Sequence, residues 1–198
     1  MRLTIPNQLT ILRIILTPIF IVLILKRTAN DQLFASAVFT IAALTDWYDG
    51  WYARKFGVIT RVGQFLDPLA DKVLVTSALI TFAILDYVVP WMVWVIVIRD
   101  FLITSNRIFA LYVGKPIITH VLAKWKTALQ MLTIFWILIF INLQNFFLQS
   151  KASYHAKYFD HIGIPMLMVA LLTISSGVIY IRENKKLLLS SFRSLFRW

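Results

Sequence analysis

Four aspartates, Asp46, Asp49, Asp67 and Asp71, are the residues of this chain best placed to do chemistry. Asp46 and Asp49 are three apart and Asp67 and Asp71 four apart, so on a helix each pair lies on one face, within about 60°. Gly50 and Ala53 continue the first face, and Gly63 and Ala70 flank the second pair. Residues that small let a second helix or a ligand approach the backbone. Four carboxylates in one pocket cannot all stay ionised unaided, because like charges oppose one another. A divalent cation removes the conflict, and an all-oxygen donor set suits Mg²⁺ or Mn²⁺ rather than zinc or copper. Two such ions can clamp the attacking and leaving oxygens of a phosphoryl displacement. A carboxylate at the edge of the cluster can serve as general base. Arg54, one turn beyond Gly50, and Lys72, next to Asp71, are cations within reach of a phosphorylated substrate. The structural alternative for Arg54 and Lys55 is a pair of membrane anchors.

The elements that position these residues are hydrophobic. Of 198 residues 60% are hydrophobic, and the arrangement matters more than the total. Six runs are long enough to cross a bilayer, at roughly 9–26, 32–56, 64–86, 89–113, 120–146 and 162–182. Short connections make sequential helices antiparallel, so the ends of the second and third spans that carry the aspartates face each other across the Gly57–Gly63 loop. The expectation is an all-α integral membrane protein. It has six transmembrane helices, a short N-terminal amphipathic segment and a basic C-terminal interfacial tail, in a single domain over 1–198. In the tail, Leu188, Leu189, Phe192, Leu195 and Phe196 recur at helical spacing beside basic residues.

Charge and composition narrow the function classes. The formal charge of +11 comes from 20 basic and 9 acidic residues. On so apolar a chain this fits an anionic membrane surface and anionic substrates, not nucleic acid. With both termini cytoplasmic, the outer side carries Lys26, Arg27, Lys151 and Lys157, while Arg61, Lys115, Arg182, Lys185, Lys186, Arg193 and Arg197 fall inside. That is the positive-inside pattern, and it puts the aspartates at the cytoplasmic side. Cysteine is absent, which removes disulfides, thiolate metal sites and a cysteine nucleophile. No targeting extension precedes the lead segment, so the expected location is the inner (cytoplasmic) membrane of a bacterium.

The pattern Asp46-x2-Asp49-Gly50-x2-Ala53-Arg54-x8-Gly63-x3-Asp67-x3-Asp71 resembles the signature of the CDP-alcohol phosphotransferases, with every position filled. The resemblance implies a six-span fold, usually a homodimer. It implies that Asp46, Asp49, Asp67 and Asp71 bind two Mg²⁺ or Mn²⁺ ions, and that Asp71 also takes the proton from the acceptor hydroxyl. Gly50, Ala53 and Gly63 would leave room for the CMP moiety, and Arg54 would lie on the diphosphate. Within the family the chain is most similar to the phosphatidylglycerophosphate synthases. The similarity lies in Pro6-Asn7-Gln8-Leu9-Thr10 with Arg13, in Ala123-Lys124-Trp125-Lys126-Thr127 followed by Gln130, and in Arg99-Asp100 with Arg107. The substrates so implied are CDP-diacylglycerol and glycerol 3-phosphate. Ala123 stands where those enzymes have glycine and Asp100 where they have glutamate. An Arg-Asp pair there also resembles the eukaryote-type cardiolipin synthases, whose acceptor is phosphatidylglycerol.

Glycerol 3-phosphate carries a dianionic phosphate, so its pocket needs uncompensated cations. Arg99, Arg107, Lys124 and Lys126 are the candidates. Asp100 and Arg107, seven apart on one helix face, are expected to pair as the structural alternative. Lys124 and Lys126 are about 200° apart on a helix, so one points into the pocket and the other snorkels. A cation-binding transporter is the rival from another class. It is disfavoured because the aspartates sit at one membrane side and no paired broken helices occur. His120, His155 and His161 lack metal-ligand spacing, and Asp31 and Asp86 read as solvated loop residues. Trp91, Trp94 and Trp198 fit interfacial belts, and Ser175-Ser176-Gly177 reads as a helix-packing patch.

Overall fold

The computed structural model describes residues 5–56, 61–112, 121–148 and 154–184. The tail from Lys185, with Lys115 and His120, lies outside the described residues. So do the side-chain positions of Ala53, Arg54 and Gly63. Among the described residues the secondary structure is entirely helical: α1 (Ile5–Leu25), α2 (Ala29–Phe56), α3 (Arg61–Ile84), α4 (Pro90–Tyr112), α5 (Val121–Leu143) and α6 (Gly163–Glu183). A single π turn, Gln144–Leu148, follows α5. Residues 1–4 of the amphipathic lead lie outside the described residues, and from Ile5 onward it runs unbroken into the first apolar run as part of α1.

Three helices, Asn7–Leu25, Leu122–Phe146 and Gly163–Glu183, are long and apolar enough to cross a membrane. α2, α3 and α4 carry more charge, including Asp46, Asp49, Asp67, Asp71, Lys72, Arg99 and Asp100. Large side chains such as Phe34, Leu44, Phe101 and Leu132 stand exposed around the bundle. In water such a surface would aggregate; against acyl chains it is the natural outside of a membrane protein.

The apolar core lies away from the charges. Phe20 and Ile24 of α1, Phe39 of α2, Leu79 and Phe82 of α3, Met92 and Ile96 of α4, and Ile137 of α5 are all essentially inaccessible. Alanines at 35, 42, 78 and 170 are buried between them, letting helices approach where lipid supplies no hydrophobic drive. Asn142 of α5 also bonds Ser36 of α2 (2.7 Å), and Asn145 of the π turn bonds Gln32 of α2 (2.6 Å).

α1 packs along both α2 and α3, which touch each other little. The two aspartate-bearing helices therefore do not close directly on each other as a hairpin, and α1 is the common partner. Its buried stripe explains the arrangement. Thr10, Arg13, Thr17, Phe20 and Ile24 recur every three or four residues and are all buried, so one helix face is polar toward its N-terminal end and apolar toward its C-terminal end.

The turns are tight and specified. Thr28 accepts the Asp31 amide (3.2 Å) and donates to the Asp31 carboxylate (2.6 Å), a reciprocal cap that starts α2. Asp31 is thus a capping residue rather than a merely solvated one. Asp86 has a φ of 64°, and Tyr87 N–H bonds back to the Phe82 carbonyl at 2.9 Å. That left-handed residue ends α3 in a Schellman-type turn. Asp86 also pairs with His155 at 2.7 Å. Before α6, Asp160 accepts the amides of Gly163 (2.6 Å) and Ile162 (3.1 Å) and the Tyr154 hydroxyl. Burial alone would raise the Asp160 carboxyl, but these donors outweigh it and hold the group below its ordinary value.

Candidate active site

Two clusters of buried charge share the α3 segment around Asp71-Lys72. The first is acidic. Arg13 of α1 is fully buried and reaches both aspartates of α2, with ion-pair distances of 2.7 Å to Asp46 and 2.6 Å to Asp49. One turn earlier, Thr10 donates to Asp67 of α3 at 2.6 Å. The charges of Asp71, Asp49 and Asp67 all bear on Asp46, as does that of Arg13, so the four carboxylates converge. They do not yet form a coordination sphere: among the described residues no three acidic or imidazole groups stand at metal-binding separation. Arg13 and Thr10 occupy oxygens that a metal would use.

The donor set nonetheless fits a divalent cation. Among the described side chains, four carboxylates are set against one guanidinium, that of Arg13, which leaves this set anionic inside a membrane bundle. Oxygen-only ligands of that charge suit Mg²⁺ or Mn²⁺. Asp46 is 41% exposed while Asp49 is 5% exposed, so the cluster has an open edge and a closed one. Gly50 sits beside Asp49 on the same helix, leaving space at the backbone.

The second cluster is basic. Asp100 of α4 is buried, and Lys126 of α5, fully buried, places its ammonium 2.6 Å from both carboxylate oxygens. Lys72 of α3 is 3.1 Å away and Arg99 3.0 Å. The expected Asp100–Arg107 pair is not the arrangement found. Asp100 serves Lys126, Lys72 and Arg99 instead, because those cations converge on it from three different helices.

Above this hub opens a cavity of about 490 Å³ whose lining includes Lys72, Arg99, Arg107, Lys124, Tyr180 and Glu183. Arg99, Arg107 and Lys124 are therefore brought to one cavity. Lys126 lies behind its wall on Asp100, and Lys124 is the exposed member of the lysine pair. The two lysines do diverge, as their angular spacing requires, but the one turned away from the cavity points into the bundle rather than to the headgroups. Counting Lys126 and Asp100, five cations meet two acids around this space.

α6 contributes more than packing. The Ser176 hydroxyl accepts from Arg99 at 2.8 Å, and a Cβ on Gly177 would lie 3.4 Å from the Arg99 Cγ. This Ser-Gly step therefore aims Arg99. Arg13, Thr10, Ser176 and Gly177 are site residues to which sequence reasoning gave no role in the site. The cost of an unpaired arginine at position 13 inside an apolar span was the available signal.

An all-helical membrane bundle with an acidic cluster beside a cationic cavity defines a class of intramembrane enzyme that handles phosphorylated substrates. The CDP-alcohol phosphatidyltransferase family model matches residues 3–181, and the chain belongs to that family. It is 34% identical to a CDP-diacylglycerol–glycerol-3-phosphate 3-phosphatidyltransferase of Bacillus subtilis (strain 168), over 94% of this chain and 97% of that protein. Proteins of the same name from Wigglesworthia glossinidia brevipalpis (36%, 80% and 94%) and Rickettsia bellii (34%, 91% and 95%) are similarly alike.

Proposed function

We propose that this protein transfers the phosphatidyl group of CDP-diacylglycerol to glycerol 3-phosphate, releasing CMP. The observation that carries the choice of acceptor is the cavity's excess of positive charge next to Asp71, five cations against two acids. A phosphomonoester brings a dianion to such a site, whereas the diester of phosphatidylglycerol brings one charge. The names of the relatives support the same reading.

In this mechanism Arg99, Arg107 and Lys124 hold the acceptor phosphate, and Asp100 orients Lys126 and Lys72. Asp71, one residue before Lys72, accepts the proton of the acceptor hydroxyl. The hydroxyl oxygen forms a new bond to the lipid-bearing phosphorus, the bond from that phosphorus to the CMP oxygen breaks, and CMP leaves. Asp46, Asp49, Asp67 and Asp71 hold Mg²⁺ or Mn²⁺, two ions in this reading. These ions supply charge neutralisation at the diphosphate. Gly50, Ala53 and Gly63 leave space for the cytidine end, and Arg54 bonds the diphosphate. The protein works as a homodimer in the inner membrane, with the site at the cytoplasmic side.

Purified protein given CDP-diacylglycerol, with glycerol 3-phosphate or phosphatidylglycerol in parallel, tests the proposal. CMP release is expected only with the monoester. Release only with phosphatidylglycerol would make it a cardiolipin synthase and overturn the acceptor assignment.

A further inference from the structure

Arg13 is a full cation, carried by α1, buried completely among carboxylates that the proposed function assigns to metal. Guanidinium does not give up its proton at any ordinary pH, so this charge is permanent. Burying it is tolerable only because acids surround it. Its two contacts are unequal. The 2.6 Å contact to Asp49 is a hydrogen bond between buried groups. The 2.7 Å contact to Asp46 is charge proximity without hydrogen-bond alignment, and the Nε has no partner. The firm contact holds the closed side of the cluster, and the loose one holds the open side. Thr10 extends the same helix face to Asp67, so α1 links carboxylates of α2 and α3.

We propose that Arg13 is a positioning residue acting as a tethered counter-cation. It keeps the aspartate cluster assembled when no divalent ion is bound, and it yields its hold on Asp46 when one enters, while keeping Asp49. The inference rests on the metal reading above and adds a competitor built into the chain. Without it the empty cluster is four carboxylates held together against their own repulsion. With it, part of the site's attraction for a dication is already satisfied.

A consequence follows by linkage. If Arg13 stabilises the metal-free state more than the loaded one, its removal must tighten divalent binding to the folded protein. The test uses the purified full chain in detergent, measuring Tm in EDTA and at saturating Mn²⁺, and the half-saturating Mn²⁺ by electron paramagnetic resonance. Arg13→Gln is expected to lower Tm in EDTA by about 5 °C or more and to stay near wild type in Mn²⁺. Its half-saturating Mn²⁺ should fall roughly tenfold. Arg13→Lys, which keeps the charge, is expected near wild type in both conditions. An equal loss of Tm with and without Mn²⁺ would reduce Arg13 to packing and overturn the proposal. So would weaker Mn²⁺ binding in Arg13→Gln, or an Arg13→Lys variant as impaired in EDTA as the glutamine. A wild-type protein that binds no Mn²⁺ overturns the metal reading itself and this inference with it, which is a different result from any of these.

Discussion

The two charged clusters are inversions of each other. Among the described side chains, one buried cation, Arg13, pairs with two carboxylates of a four-aspartate cluster; around Asp100, three cations converge on one buried anion. In both the central residue is almost inaccessible and comes from a helix different from most of its partners. Neither cluster is neutral, and burying net charge in a bilayer is expensive. A fold built only for stability would have matched the signs one to one. Ligands of opposite charge would relieve the mismatch: cations at the first cluster, phosphate at the second. Asp71 and Lys72, adjacent on α3, connect the two, so in the proposed mechanism proton removal and phosphate binding occur side by side.

The sharpest break in the comparison is at Asp71. Asp71→Asn keeps size and removes only the base, so turnover should fall roughly 10²–10⁴-fold while the protein stays folded in the membrane. CMP release by the purified variant, against its Tm, checks this; near-normal turnover would refute the general-base role. Breaking the second cluster should hurt stability as well. Asp100→Asn leaves buried Lys126 without its counter-charge, at a cost of about 3–5 kcal/mol, read as a lowered Tm. The double variant Asp100→Leu/Lys126→Met removes both charges. It should recover most of that loss, because apolar replacements of a buried pair are often neutral. Acceptor KM should remain impaired, since Lys72 and Arg99 lose their anchor. If the double variant binds acceptor normally, the hub is structural only.

How much of this was legible in the chain differs between the clusters for a physical reason. The aspartates stood out because acids within apolar runs are rare and their spacing repeats on a helix face, and the helix boundaries followed from hydropathy to within a few residues. The partners of those aspartates did not. Arg13 lies 33 and 36 positions from Asp46 and Asp49, and no periodicity links residues on different helices. The same limit hid the Asp100 hub. Within one helix, spacing favoured Arg107 as the partner, but cations from α3 and α5 reach the carboxylate in three dimensions. α1 as the common partner of α2 and α3 was likewise invisible, because short loops make sequential helices antiparallel without saying which pairs touch.

Arg107 separates binding from chemistry in the basic cluster. It lines the cavity but is not one of the cations on Asp100. Arg107→Ala should therefore raise the KM for glycerol 3-phosphate roughly ten- to a hundredfold, the worth of a charged hydrogen bond. The KM for CDP-diacylglycerol should hardly move. Equal loss for both substrates would mean that the cavity is not an acceptor subsite.

The smallest effect is expected where a single acid is satisfied by neutral donors outside the bundle core. Asp160 takes two backbone amides at the start of α6 and the Tyr154 hydroxyl, with no excess charge left for a ligand. Asp160→Ala should cost about 1 kcal/mol, as for loss of a helix cap, with no change in either KM. Its folded carboxyl lies below the ordinary 3.8, so it binds a proton less readily than the same group unfolded. The stabilisation is therefore present above about pH 4 and lost as pH falls through the lower folded value. Thermal unfolding of wild type and Asp160→Ala between pH 7 and pH 3 checks the sign: the two Tm values should converge on the acid side. Divergence there would mean that the protonated carboxyl is the stabilising form and that Asp160, unlike the acids around Arg13, is held as a neutral donor.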